Sequence, residues 1–217
     1  EAAARRVGQL RRFTDPQGVV NEIVLAPARA DTPFRSTGFP GGFLTGDLGF
    51  GHAVMIARDL ARIERFYTDV FGLKVSQRLE TSLGPITAKG AFLYSNPRNH
   101  SLALFDMPVH RRLQHFMLEA NALKDVGAAW ERAKRLKVPV TLDLGQHPEP
   151  DGTVSFYGRT PSGFDFEIGA GAGLIDEDFQ AVNLNVTSGW GHHPSLAMRL
   201  RMMGSYLGER LGLGAPR

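Results

Sequence analysis

The chain contains no cysteine in its 217 residues. Disulfides, thiolate metal sites and cysteine nucleophiles are therefore excluded, and any metal must be held by nitrogen and oxygen. A cysteine-free chain suits a reducing compartment, and a cytoplasmic location is the expectation. No apolar run reaches about 18 residues, so no membrane-spanning helix is expected. Charge of one sign is scarce as well, with a formal net charge of only +3. The basic residues are scattered, apart from local concentrations at Arg5–Arg12 and Arg199–Arg201. Neither nucleic acid nor a membrane is expected as a partner.

What remains is an ordinary globular composition. Hydrophobic residues make up 42% and charged residues 22%, enough to bury a real core in one domain with extensions. Within that domain the chain repeats itself. His52 in GFGHAVMIA and His115 in LQHFMLE lie 63 residues apart, and Leu73-Lys74-Val75 recurs as Leu136-Lys137-Val138 at the same interval.

A helical pattern separates each histidine from its LKV. In the first unit Ile63, Phe66, Tyr67, Val70 and Phe71 follow the spacing of one buried helix face, with Asp59 as N-cap and Gly72 as stop. In the second, Leu123, Val126, Trp130 and Ala133 form the stripe, Asn121 can cap it, and Pro139 ends it. Each unit thus reads as strand, helix and more strands. The opening strand of the first should alternate through Leu48, Phe50, His52, Val54 and Ile56. Near the end of the second, Glu167 in FDFEIG alternates away from Phe166 and Ile168. Two neutral imidazoles and one carboxylate are the ligand set of a facial triad, which holds non-haem Fe(II) and leaves neighbouring positions open. Taken singly, each of these residues is better read as a solvated or hydrogen-bonded side chain. Their matching places in the repeat favour the metal.

A second internal match lies at the start. Pro16–Ile23 and Pro161–Ile168 both read P-x-G-x-x-x-E-I, a turn followed by a strand. Residues 1–25 are therefore expected to be the last hairpin of a preceding module, with Val20 and Ile23 poorly covered. Because the chain opens on Glu1 rather than Met, a fragment or processed form of a longer protein is expected. Residues 26–47 read as a Pro- and Gly-rich linker, 48–170 as the two paired units, and 171–217 as a tail with a helix from about Pro194 to Leu211.

From about Gly46 to Gly169 the sequence resembles the catalytic domain of the type I extradiol ring-cleavage dioxygenases, members of the vicinal oxygen chelate superfamily. The resemblance is carried by TGDLGFGHAV around His52, Leu113-Gln-His-Phe-Met-Leu-Glu around His115, and Ser155-Phe-Tyr-Gly-Arg-Thr-Pro-Ser-Gly-Phe-Asp-Phe-Glu up to Glu167. The Trp190-Gly-His192 stretch is similar too. It implies an α+β fold in which paired βαβββ modules form a curved sheet around a metal site. His52, His115 and Glu167 would hold Fe(II), with Mn(II) as the alternative. Glu22 would be the non-functional counterpart of Glu167.

The resemblance further implies that His100, expected on a strand, is the acid/base group, and that His147 and Tyr157 hydrogen-bond the catechol oxygens. Asn99 departs from the pattern, standing where relatives often carry another histidine. The loop between His147 and Tyr157 is one residue longer than usual. The implied activity is extradiol (meta) cleavage of a substituted or polycyclic catechol, such as 2,3-dihydroxybiphenyl, by dioxygen in aromatic catabolism. Phe92, Phe105, Met107 and Phe116 would suit a bulky ring or could equally be core, and a homo-oligomer is expected. His110, His192 and His193 are left as surface or structural residues. The alternatives are a metal-free or differently metallated binding protein, a glyoxalase- or epimerase-like enzyme, and a 4-hydroxyphenylpyruvate dioxygenase-like enzyme.

Overall fold

The computed structural model describes residues 1–83, 86–107 and 112–211. The chain opens with a hairpin of β1 (Val7–Thr14) and β2 (Val20–Pro27). The first unit is β3 (Gly51–Ile56), α1 (Leu60–Phe71), β4 (Lys74–Leu83), β5 (Ile86–Tyr94) and β6 (Leu102–Asp106). The second is β7 (Leu113–Glu119), α2 (Leu123–Arg135), β8 (Val140–Gln146), β9 (Val154–Arg159) and β10 (Asp165–Ala170). A short β11 (Val182–Leu184) and a terminal α3 (Leu196–Arg210) follow. Among the described residues no helix is long and apolar enough to cross a membrane.

Nine strands join in the order β11-β4-β5-β6-β3-β7-β10-β9-β8. Apart from β11, the order reads the same from either side of the β3–β7 seam, so the repeat in the sequence becomes a twofold in the sheet. In each unit the helix packs on the sheet face away from the seam's histidines. Ile63 and Tyr67 of α1 are buried with Leu93 and Leu104, whereas Val126, Ala129 and Ala133 of α2 are buried with Phe156 and Ile168. Val70 and Leu123, expected in the stripes, stay exposed.

The two helix starts differ. Asp59 caps α1, its side chain accepting from the Arg62 N–H, and Gly72 ends it in the left-handed conformation. Asn121 does not cap α2; Ala122 holds that position without a side-chain bond. The Asn121 amide is instead spent on the Gly41 carbonyl at 2.9 Å, and Asp125 accepts from the Gly41 N–H at 2.8 Å. Within residues 26–47, Phe39 and Gly41 are docked on α2. Strand β3 also starts later than expected: Leu48 lies in a single 3-10 turn, and Phe50 is exposed.

The P-x-G-x-x-x-E-I match has a structural basis. In the β1–β2 turn the Asp15 N–H donates to Val19 O and the Gly18 N–H to Asp15 O; in the β9–β10 turn Thr160 donates to Phe164 O and Gly163 to Thr160 O. Gly18 and Gly163 take nearly the same positive φ, 82° and 86°, which a side chain would disfavour. The hairpin packs Phe13 against Phe71 at 4.7 Å between centroids and leaves Val20, Ile23, Val24 and Leu25 exposed.

The sheet curls strongly. Leu184 pairs with Leu79 of β4 at one edge, yet the Thr187 carbonyl lies 2.9 Å from His147 Nδ1, just past β8 at the other. Three residues span at most about 10 Å, so the two edges nearly meet and the sheet forms a cup.

Candidate metal centre

Strand register builds the centre. β3 and β7 are antiparallel, pairing His52 with Met117 and Val54 with His115. β7 and β10 are parallel, pairing Met117 with Glu167. Residues two apart on a strand share a face, so His52, His115 and Glu167 all point into the cup from three adjacent strands. Their ligand atoms lie within 4.8 Å of one another. Both His Nε2 atoms stand 3.1 Å from Glu167 Oε2 and 3.2 Å from each other. Glu167 is fully buried, and both histidines are nearly so.

This geometry asks for a cation. His115 Nδ1 faces the Gln114 side-chain oxygen, which can only accept, so the ring proton sits on Nδ1. The Nε2 lone pair then points at a carboxylate oxygen. Burial lowers the His115 pKa, and its contact with Glu167 does not outweigh that, so the ring is not charged by default. Burial also pushes the Glu167 carboxyl up, but the contacts from His115, His147 and His52 hold it well below the usual carboxylate range. A buried anion facing the His115 lone pair is costly unless a positive ion stands between them. Two imidazole nitrogens and one carboxylate oxygen fit a hard or borderline divalent metal.

Comparison with known proteins places this domain in a family. The sequence profile of the Glyoxalase/Bleomycin resistance protein/Dioxygenase superfamily matches residues 49–168. Biphenyl-2,3-diol 1,2-dioxygenase of Paraburkholderia xenovorans is 38% identical over 193 residues, covering 88% of this chain and 64% of that protein. The iron-dependent extradiol dioxygenase of Rhodococcus jostii is 38% identical over 207 residues, covering 90% of this chain and 67% of that one. The crystal structure of 2,2',3-trihydroxybiphenyl 1,2-dioxygenase from Sphingomonas wittichii superposes with a TM-score of 0.77 at 32% identity, covering 89% of this chain and 68% of that one. The chain belongs to this superfamily, among its extradiol dioxygenases. It spans 64% of the length of the Paraburkholderia relative.

Three further groups surround the centre of this extradiol-type domain. Tyr157 lies opposite Glu167 in the β9–β10 register. Its hydroxyl is 2.8 Å from His147 Nε2, and that nitrogen is 3.3 Å from Glu167 Oε1. The Thr187 carbonyl can only accept, so His147 carries a proton on Nδ1. Burial disfavours the His147 cation, but the Glu167 carboxylate outweighs it and lifts the pKa to about 9. Burial and Glu167 together push the Tyr157 phenol well above 10.

His100 comes from the turn before β6, not from a strand as expected. That turn is folded by Asn96, whose side chain accepts from the Arg98 N–H. It lays the His100 ring 4.1 Å from the His52 ring and 4.9 Å from Phe92. Its Nδ1 is 3.1 Å from Asn99 Oδ1, which leaves Nε2 as the acceptor. Burial, reinforced by His52, drives its pKa well below 6.5.

Not every expectation holds. Phe116 is next to His115, so it points to the opposite face, where it packs 6.0 Å from Phe164 and cannot line the cup. His193 is exposed as expected, and His110 lies outside the described residues. His192, left as a surface or structural residue, is buried with its ring 4.6 Å from His147. Ser155, Thr187 and Gln114 were likewise missed. Only the Gly191-His192 pair in the tail offered a sequence signal, a glycine setting a histidine against something close. Glu22, expected to be the counterpart of Glu167, is bound by Arg5 and Arg12 at 2.9 and 2.8 Å. Those two arginines hold its carboxyl down to about 2.

Proposed function

We propose that this chain catalyses extradiol cleavage of a catechol with dioxygen, using Fe(II) held by His52, His115 and Glu167. Mn(II) would fit the same donor set. The carrying observation is that two histidine nitrogens and a buried carboxylate converge beside an oriented His147–Tyr157 pair, with a neutral histidine on the other flank.

A bound divalent metal would favour the catechol anion and bring both substrates into contact. The chain's own residues do the rest. His147, its Nδ1 proton committed to Thr187, presents Nε2 to the Tyr157 hydroxyl or to a catechol oxygen. Tyr157 stays protonated and so remains a donor toward a deprotonated catechol oxygen. His100, neutral with its Nε2 unprotonated, can take a proton near the ring and return it later. Phe92 presents an apolar edge beside His100, suited to a substituted or polycyclic catechol such as 2,3-dihydroxybiphenyl. The product class is a ring-opened semialdehyde or keto-dienoic acid.

Two parts of the reading concern the whole molecule. Residues 1–25 stand as the counterpart of the β9–β10 hairpin, supported by their shared turn geometry. The exposed Leu196, Leu200, Met203 and Leu207 on α3 favour a homo-oligomer.

Loading the protein anaerobically with Fe(II), counting metal per chain, and adding oxygen with a catechol panel tests the proposal. One iron per chain and a yellow ring-fission product are expected. Iron binding without cleavage of any catechol would overturn the activity, and no stoichiometric metal would overturn the centre.

A further inference from the structure

We infer that His192 is a positioning residue for the catechol-binding pair: it pins the 187–192 segment to β9, so that the Thr187 carbonyl and its own ring fix the orientation of His147. The inference rests on the catechol-cleaving reading above, and goes beyond it by bringing the tail into the site.

The geometry forms a continuous chain. Ser155 and Tyr157 are two residues apart on β9 and share the inner face. His192 Nε2 lies 3.2 Å from the Ser155 carbonyl and 3.2 Å from its hydroxyl. A carbonyl accepts only, so Nε2 carries the proton, and Nδ1 accepts from the Ser188 hydroxyl at 2.8 Å. Both ring nitrogens are satisfied by one tautomer. Ser188 directly follows Thr187, whose carbonyl takes the Nδ1 proton of His147. Nε2 of His147 is then left to face Tyr157. The orientation of Tyr157's partner is thus traced back to the backbone of Tyr157's own strand.

The His192 ring also forms a wall. It lies 4.6 Å from the His147 ring and meets Tyr157 edge-on at 5.5 Å. Burial, with His147 close by, pushes its pKa down to about 4, so it adds no charge beside His147.

The backbone is arranged for this contact. His192 has φ 49°, in the left-handed region that side chains disfavour. A Cβ on Gly145 would sit 2.3 Å from the His192 nitrogen and 2.7 Å from its ring, and a Cβ on Gly191 would sit 2.3 Å from Leu144 O. Two glycines and a strained histidine hold the tail against β8 at the point where His147 leaves it. An apolar side chain could fill the space, but it could not bond β9 and Ser188 at once.

The first readout does not depend on turnover. In protein labelled with 15N-histidine and loaded with diamagnetic Zn(II), long-range proton–nitrogen spectra report which ring nitrogen of His147 bears hydrogen. Zn(II) on Glu167 would neutralise the carboxylate charge that raises the His147 pKa, so wild type should show one fixed Nδ1–H tautomer, and His192→Ala should show an averaged signal. With Fe(II), His192→Ala should raise KM for 2,3-dihydroxybiphenyl about tenfold, as loss of an orienting outer contact does, with kcat changed less and iron retained. His192→Asn separates positioning from folding. Asn tolerates the left-handed backbone but is too short to reach both Ser155 and Ser188. Positioning predicts that Asn behaves like Ala. A merely structural role predicts that Asn restores wild-type spectra and KM, and that result would overturn the inference, as would an unchanged His147 tautomer in both variants. Wild type that cleaves no catechol sinks the activity instead, and the tautomer spectra still decide the role of His192.

Discussion

The two units of the cup share a backbone plan but not a chemistry. Across the seam each contributes one histidine of the proposed metal centre from its first strand. Beyond that they diverge. Where Met117 pairs with Glu167 on β10, the corresponding Val54 pairs with Ala103 on β6. Where Tyr157 lies opposite Glu167, Phe92 lies opposite Ala103. The second unit therefore makes an ionic, hydrogen-bonding wall, and the first an apolar wall to which the turn before β6 adds one neutral histidine. Main-chain pairing does not read side chains, so one scaffold can carry both. Among the described residues, the asymmetry leaves the first unit's side of the centre without a carboxylate, which suits the aromatic substrate proposed above.

Removing a ligand from either unit should have the largest effect. His52→Ala, His115→Ala or Glu167→Ala should each abolish stoichiometric metal, counted after anaerobic loading and desalting, and activity with it. Full metal occupancy in His115→Ala would show that the units do not share one centre.

His100→Ala tests the first unit's own contribution. Iron and catechol should still bind, while turnover per iron should fall by roughly 10²–10⁴, the range for a lost general acid/base. Near-wild-type turnover per iron would reduce the first unit to a ligand and an apolar wall.

The units are also clamped together by charge. Arg98 of the first, buried, pairs with buried Glu119 at the end of β7 and donates to Leu48 O at 3.0 Å. Arg98→Met should destabilise the domain by roughly 3–5 kcal/mol in urea unfolding, because Glu119 is left buried without its partner. A loss below about 1 kcal/mol, the range of an exposed pair, would mean that the clamp is solvated.

The smallest effect concerns the hairpin on α1. The Tyr67 hydroxyl is 3.2 Å from Asp15, and burial with the Asp15 charge raises its pKa to about 12. The folded state thus favours the neutral phenol. That contribution is complete below the unfolded value near 10 and is lost as pH rises toward 12. Wild-type stability should fall over that window, and Tyr67→Phe should flatten the fall. Parallel curves for the two proteins would place the hairpin off α1.

The sequence was most legible where chemistry and period coincide. A strict 63-residue spacing between histidines survives in the sheet because each unit must present its first strand to the same seam. Asp59 and Gly72 were readable because capping is local. Asn121 was misread because its amide had a better partner in Gly41, distant in sequence. Phe116 stayed open between ring pocket and core because its apolar character was read without the strand alternation that turns it from His115.

By itself, the sequence determined the paired units, the nitrogen and oxygen donor set and the turn shared by two hairpins, since each follows from side-chain chemistry or local backbone preference. Tertiary structure alone decided how the sheet curls until its edges nearly meet, which brings Thr187 and His192 from the tail onto His147. It also decided that a turn, not a strand, delivers His100. Those contacts join residues far apart in the chain, and no local period or propensity encodes a distance that exists only after the sheet has closed.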